Sequence, residues 1–195
     1  MHGLINRSIQ VFLRETYGPE LWLAVAARAE LGFDSFEAML HYDDRLTARV
    51  IEAAAEQLSR PREVVLEDLG TWLVSQRGRD GLRRLLRFGG VGFVDFLHSL
   101  DELEGRSRLA LPELDLPRLE LRAISADRFA LTCEACLPGV GHVIVGLLRA
   151  MADDYGALVL LDHEGAGPGG EVVSIHLLEP QFAVGRRFDL AARTG

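Results

Sequence analysis

Leu4, Ile5, Ile9, Phe12 and Leu13 recur at steps of three and four, which predicts a helix that ends at Gly18-Pro19. Pro19 is suited to the first turn of the next helix, PELWLAVAARAELG. A polar stretch, HYDD, precedes RLTARVIEAAAEQLSR, whose alanines and interspersed charges suit a third helix. Ser59 and Glu63, flanking Pro61, form a helix-start signal for REVVLEDLGTWLV. The pair Gly89-Gly90 then breaks the chain before an amphipathic helix that includes VDFLHSLDELEGRSRL, expected to stop at Gly105.

Beyond Pro112 the period changes. LPRLELRAIS and DRFALTCEAC carry alternating or β-branched apolar positions and read as two strands joined at Ser125-Ala126-Asp127. GHVIVGLLRAMADDYG returns to helical spacing through Val143, Leu147, Leu148 and Met151. ALVLLDHEGAGPGGEVVSIHLLEP is a strand, a glycine-rich turn and a strand. The predicted class is therefore α+β: a helical N-terminal subdomain followed by a β-β-α-β-β C-terminal subdomain. A single domain spans residues 1–180, helical over 1–110 and mixed over 111–180, and residues 181–195 form a tail.

Composition narrows the functions. A net charge of -8 provides no basic field for phosphates, so nucleic acid is not an expected partner. All 21 basic residues are arginines; Arg83, Arg84 and Arg87 cluster on one segment, as a solvated face or a docking patch. The N-terminus lacks a secretory signal and no apolar run is long enough to span a bilayer, so a cytoplasmic protein without membrane contact is expected. GAGPGG sits in a hairpin turn rather than between a strand and a helix, which excludes a phosphate cradle. With no nucleophile-base set either, no enzymatic activity is predicted.

Four stretches then acquire a common meaning. MHGLINRSIQVFLRETYGPELW, EQLSRPREVVLEDLGTWLV, FVDFLHSLDEL and LPGVGHVIVGLL together resemble the H-NOX family, the heme nitric oxide/oxygen binding domain also found in soluble guanylate cyclases. The resemblance covers most of the chain. It implies a helical subdomain and a mixed subdomain that enclose heme b, a diatomic gas as ligand, and a separate kinase- or cyclase-type signalling protein as partner.

Carried over position by position, the resemblance places the family's axial histidine at Glu104, the last residue of Asp101-Glu102-Leu103-Glu104. The family's propionate-binding Tyr-x-Ser-x-Arg falls on Cys133, Ala135 and Leu137. The proline that presses on the heme matches Pro117, the distal apolar residue Ile5, and the distal tyrosine of oxygen-binding members Gly141. Leu97 and Leu100 fall on the pocket face of the ligand helix.

The residues themselves leave alternatives open. Phe93, Leu97, Leu100 and Glu104 share a helical face, so Glu104 is either an inward carboxylate or a solvated residue at a helix end. As an iron ligand it would be a hard oxygen donor, ill matched to ferrous iron. His98, six residues earlier, lies about 120° away around the helix; it and His142 are the substitute ligand candidates, or else surface histidines. His2, His41, His163 and His176 show no metal spacing, although the family places the helix that follows His2 against the pocket. Cys133-x-x-Cys136 reads as two apolar core residues or as a redox pair. Three readings follow: a heme-based gas sensor with a non-standard axial ligand, a heme-free module that binds an apolar ligand or a protein on the same scaffold, and a cysteine redox sensor.

Overall fold

The structure, a computed structural model, describes residues 1–75, 86, 91–110, 116–134, 137–167 and 169–178. Four helices come first: α1 (Gly3–Tyr17), α2 (Pro19–Arg28), α3 (Asp44–Leu58) and α4 (Arg62–Ser75). They are followed by α5 (Phe93–Ser99), a 3-10 turn (Leu100–Glu102) and α6 (Leu103–Ala110). Strands β1 (Arg118–Ala123) and β2 (Arg128–Glu134), helix α7 (Val140–Tyr155) and strands β3 (Val159–Gly167) and β4 (Gly170–Leu177) complete the chain. The α+β class and the β-β-α-β-β order are as expected. The Gly89-Gly90 break, the arginines at 83, 84 and 87, and the tail at 181–195 lie outside the described residues.

The local signals act as their chemistry requires, with one exception. Gly18, at φ 96°, ends α1, and Pro19 opens α2. The Asp43 side chain caps α3 by accepting from the Arg45 N–H at 2.8 Å. Ser59, however, does not start α4: it adopts the left-handed conformation at φ 51° and ends α3 instead.

The sheet is antiparallel throughout, in the order β1-β2-β4-β3. Phe129, Leu131 and Cys133 on β2 and Val173, Ile175 and Leu177 on β4 face one way and are buried, so the period of two fixes which face α7 covers. The glycine-rich segment is mostly strand, since Gly165, Ala166 and Gly167 pair with Val172, Glu171 and Gly170.

Two apolar clusters result. One joins α1, α2, α3 and most of α4 around Phe12, Trp22, Phe36 and Leu66. The other joins the inner face of the sheet to α7, α5 and the segment after it, around Phe93, Phe96, Leu131 and Leu148. Helices α4 and α7 contribute to both, through Leu69 and Val74 on the first and through Val143 and Leu148 on the second. Their backbones meet at two glycines. A Cβ on Gly70 would overlap the Val143 carbonyl oxygen, and one on Gly146 would overlap the Glu67 carbonyl oxygen. Thr71 Oγ1 donates to the Gly146 carbonyl at 3.2 Å across the same seam.

Gly105 does not end its helix. It lies inside α6 with open space around its Cα, and Ser107 Oγ donates to the Glu104 carbonyl at 2.8 Å just beyond it. The two kinds of glycine predict opposite effects in urea denaturation. Gly70→Ala or Gly146→Ala should lower stability by about 2–3 kcal/mol or more through backbone overlap, whereas Gly105→Ala should raise it by about 0.5–1 kcal/mol by restoring helix propensity.

Candidate functional site

The helix that carries Glu104 is out of phase with a simple α-helix. Each residue of a 3-10 turn advances about 120° instead of 100°. Leu103 therefore comes round directly beneath Leu100, and Glu104 is displaced about 100° to the side. Burial follows this count: Leu97, Leu100 and Leu103 are buried, as is Ser107, while Glu104 is half-buried. The turn is held by Asp101, whose carboxylate accepts from the Leu121 N–H at 2.7 Å on the open edge of β1. His98 is exposed on the outer side and meets the Phe129 ring edge-on, with centroids 6.1 Å apart.

The other positions divide between the two clusters. Leu97, Leu100 and Cys133 are packed together in the sheet cluster, each no more than 1% exposed. Ile5 and Leu137 belong to the helical cluster. Pro117 is half-buried immediately before β1. Ala135 and Cys136 lie outside the described residues. Burial pushes the Cys133 thiol up to about 12, with the Glu171 charge adding to the effect.

Gly141 marks a constellation that motif spacing does not reveal. A Cβ there would come within 2.6 Å of His163 Cδ2 and 2.8 Å of Glu171 Oε2. The residue thus faces the end of the sheet, and the space a larger side chain would need is filled by these two groups. Glu171 accepts from the Gly139 N–H and, at 2.8 Å, from the Gly141 N–H at the start of α7, where unpaired donors and the helix dipole favour an anion. His163 Nε2 lies 3.0 Å from the same carboxylate.

The His142 ring lies against that of His163, tilted by 36° with centroids 4.1 Å apart, and its Nδ1 lies 3.5 Å from Glu67 Oε1. Glu67 is in turn bonded by Arg149 at 2.8 Å, and Arg62 donates to the Pro138 carbonyl at 2.6 Å. Burial opposes ionisation of Glu171, but the Gly139 and Gly141 donors and His163 prevail and hold its carboxyl below the usual glutamate range. The sequence did carry a signal for this group: on alternating strands, Glu171 shares the inward face of Val173, Ile175 and Leu177, and His163 that of Val159 and Leu161.

Residues 2–163 match the model of the haem-NO-binding family, HNOB. The chain belongs to that family. Its helical half, its sheet and the bridging helix are thus those of an H-NOX domain, the sensor domain of soluble guanylate cyclases and related gas sensors. A solved Fe(II) unliganded H-NOX protein from K. algicida superposes with a TM-score of 0.78 at 15% identity, over 93% of this chain and 98% of that one. An I5F mutant of the T. tengcongensis H-NOX superposes at 0.75 and 16% identity, over 93% and 100%. These likenesses establish the fold.

Among curated proteins, soluble guanylate cyclase 89Db of Drosophila melanogaster is 22% identical over 94% of this chain, and soluble guanylate cyclase gcy-33 of Caenorhabditis elegans 24% identical over 78%. The chain spans 28% and 16% of their respective lengths. Among the described residues, no helix is long and apolar enough to cross a membrane, and no group of three or more His, Cys, Asp or Glu side chains is arranged to hold a metal ion.

Because the folded Glu171 holds its charge to lower pH than the unfolded chain, its contribution to stability is complete above the ordinary glutamate range, about pH 4.3, and is lost as pH falls through its lower native value. The stability gap between the wild type and Glu171→Gln should therefore be largest near neutrality and close in acid, as followed by urea denaturation across pH.

Proposed function

We propose that this H-NOX domain is a signalling module whose output does not depend on heme iron and which acts on a separate kinase- or cyclase-type protein in the cytoplasm. The observation that carries the reading is the state of Leu97, Leu100 and Cys133. At positions that face heme in the family, these side chains are in contact with protein on every side. A heme needs a broad apolar slot, an axial donor and partners for two carboxylates. The residues present do not fit it. Glu104 is turned aside and is a hard donor, Cys133 is a protonated thiol in the core, and Leu137 is apolar. His98 is exposed beyond the helix, and His142 is engaged with His163 and Glu67.

The module's contacts are thereby directed to proteins, or to a small apolar ligand that accepts a remodelled core. The redox reading gains nothing from the geometry. A thiol with its pKa near 12 has almost no thiolate at neutral pH, and thiolate is the form that reacts. In a Cys136→Ser variant, Cys133 should resist a thiol reagent in the native protein and react at once in denaturant. Fast labelling of the folded variant would restore the redox reading.

The decisive measurement is the absorption spectrum of the chain purified with heme supplied. No Soret band that shifts with nitric oxide or carbon monoxide is expected, and Glu104→His alone should leave the protein colourless, since one donor does not reopen a packed core. A sharp, gas-responsive Soret band in the wild type would overturn the proposal.

A further inference from the structure

The polar group beneath the start of α7 meets the heme-pocket positions carried over from the family at the Gly141 N–H and includes the ligand candidate His142, but its carboxylates and His163 are not among those positions, and it joins the two halves of the molecule. Glu67 and Arg62 come from α4, His142 and Arg149 from α7, His163 from β3 and Glu171 from β4. Cys133 on β2 faces Glu171 in the sheet register but is uncharged. Asp162 and Glu164, the neighbours of His163 on β3, are exposed on the opposite face.

We propose that the abutting rings of His142 and His163, each set against a carboxylate, form a proton-operated latch between the sheet and the α4–α7 pair, closed while at most one ring is charged and parted when both are. With both rings neutral, Glu67 is paired with Arg149 and Glu171 is held by the Gly139 and Gly141 N–H groups, while Arg62 is bonded to the Pro138 carbonyl. The first proton is accepted between two carboxylates and turns a hydrogen bond into an ion pair. The second sets two like charges about 4 Å apart where each side chain is only 16% exposed, so water screens them weakly.

Rotation of His142 away from His163 is the accessible relief. His142 sits in the first turn of α7, one residue from the Glu171 contact at Gly141, and Glu67 sits on α4 at the glycine seam. Movement of this ring therefore acts on both contacts that fix α7. The ligand sensed is the proton itself. The proposal stands whether or not the domain holds heme.

Solution NMR of the full chain tests it. Acidification, followed through the ring-carbon signals until both imidazoles carry a proton, should abolish the ring-to-ring nuclear Overhauser contact between His142 and His163. The amide signals of Gly70 and Gly146 should shift over the same interval and return on neutralisation. In His142→Gln, which keeps Glu67, Glu171 and the glycine seam, the shifts at both glycines should be lost. Retention of the ring contact once both imidazoles carry a proton would overturn the latch, as would the same glycine shifts in His142→Gln. The wild-type titration alone decides the first point if that variant does not fold.

Discussion

Everything in this molecule is arranged around the close approach of α4 and α7. Two helices with ordinary side chains at the contact sit 8–10 Å apart. Here Gly70 and Gly146 let each backbone touch the other's carbonyl oxygens. The approach is needed because α7 must serve two cores, covering the sheet with Ile144, Leu147, Leu148 and Met151 while turning Val143 toward the helical cluster. A thicker seam would lift α7 from one core or the other, and the halves would behave as separate small domains with poorer burial. The same closeness makes the seam sensitive, since backbone contacts have no side-chain rotamer with which to absorb a displacement.

A second constraint sets the character of position 104, to which the resemblance assigns the family's axial ligand. The three residues of the 3-10 turn tighten the chain by about 60° of rotation relative to an α-helix. Asp101 pins that turn to the edge of β1, so it is fixed by a tertiary contact and not only by local preference. In consequence an apolar residue, Leu103, completes the inward stripe, and the carboxylate of Glu104 avoids full burial. A glutamate four residues after Leu100 in an uninterrupted helix would have had to desolvate or find a buried partner, at substantial cost.

Much of this was legible in the residues. The helical period in α1 and α7, the proline and glycine boundaries at 18 and 19, and the alternation in β2 and β4 gave the elements, their order and the α+β class. Four stretches carried the family. What failed to read correctly failed for physical reasons. Ser59 looked like a cap for the helix after it, but its left-handed backbone closes the helix before it. Gly105 looked like a stop, yet a glycine ends a helix only where the chain needs a positive φ, and nothing there requires one. The His163–Glu171–His142 group could not be found by motif spacing, because its members lie 8 and 21 residues apart on three elements and meet only through the hairpin register. An inward-facing glutamate at the end of an apolar strand was nonetheless visible, and it is the kind of exception that points to a partner.

The proposed loss of heme dependence and the survival of the fold are compatible for one further reason. A slot wide enough for heme is, without heme, a large apolar cavity, and a cavity costs stability in proportion to its volume. A chain relieved of the cofactor is therefore driven to fill the space, and on the proposed reading the packing of Leu97, Leu100 and Cys133 among Phe93, Leu131 and Ile144 is that filling. Filling also removes whatever movement a bound ligand would have imposed on the two halves. Any signal that such a domain still transmits must enter where the halves remain joined by groups that can change state. Among the described residues the glycine seam supplies the rigid contact, and the histidines and glutamates beside it supply the charges that can change.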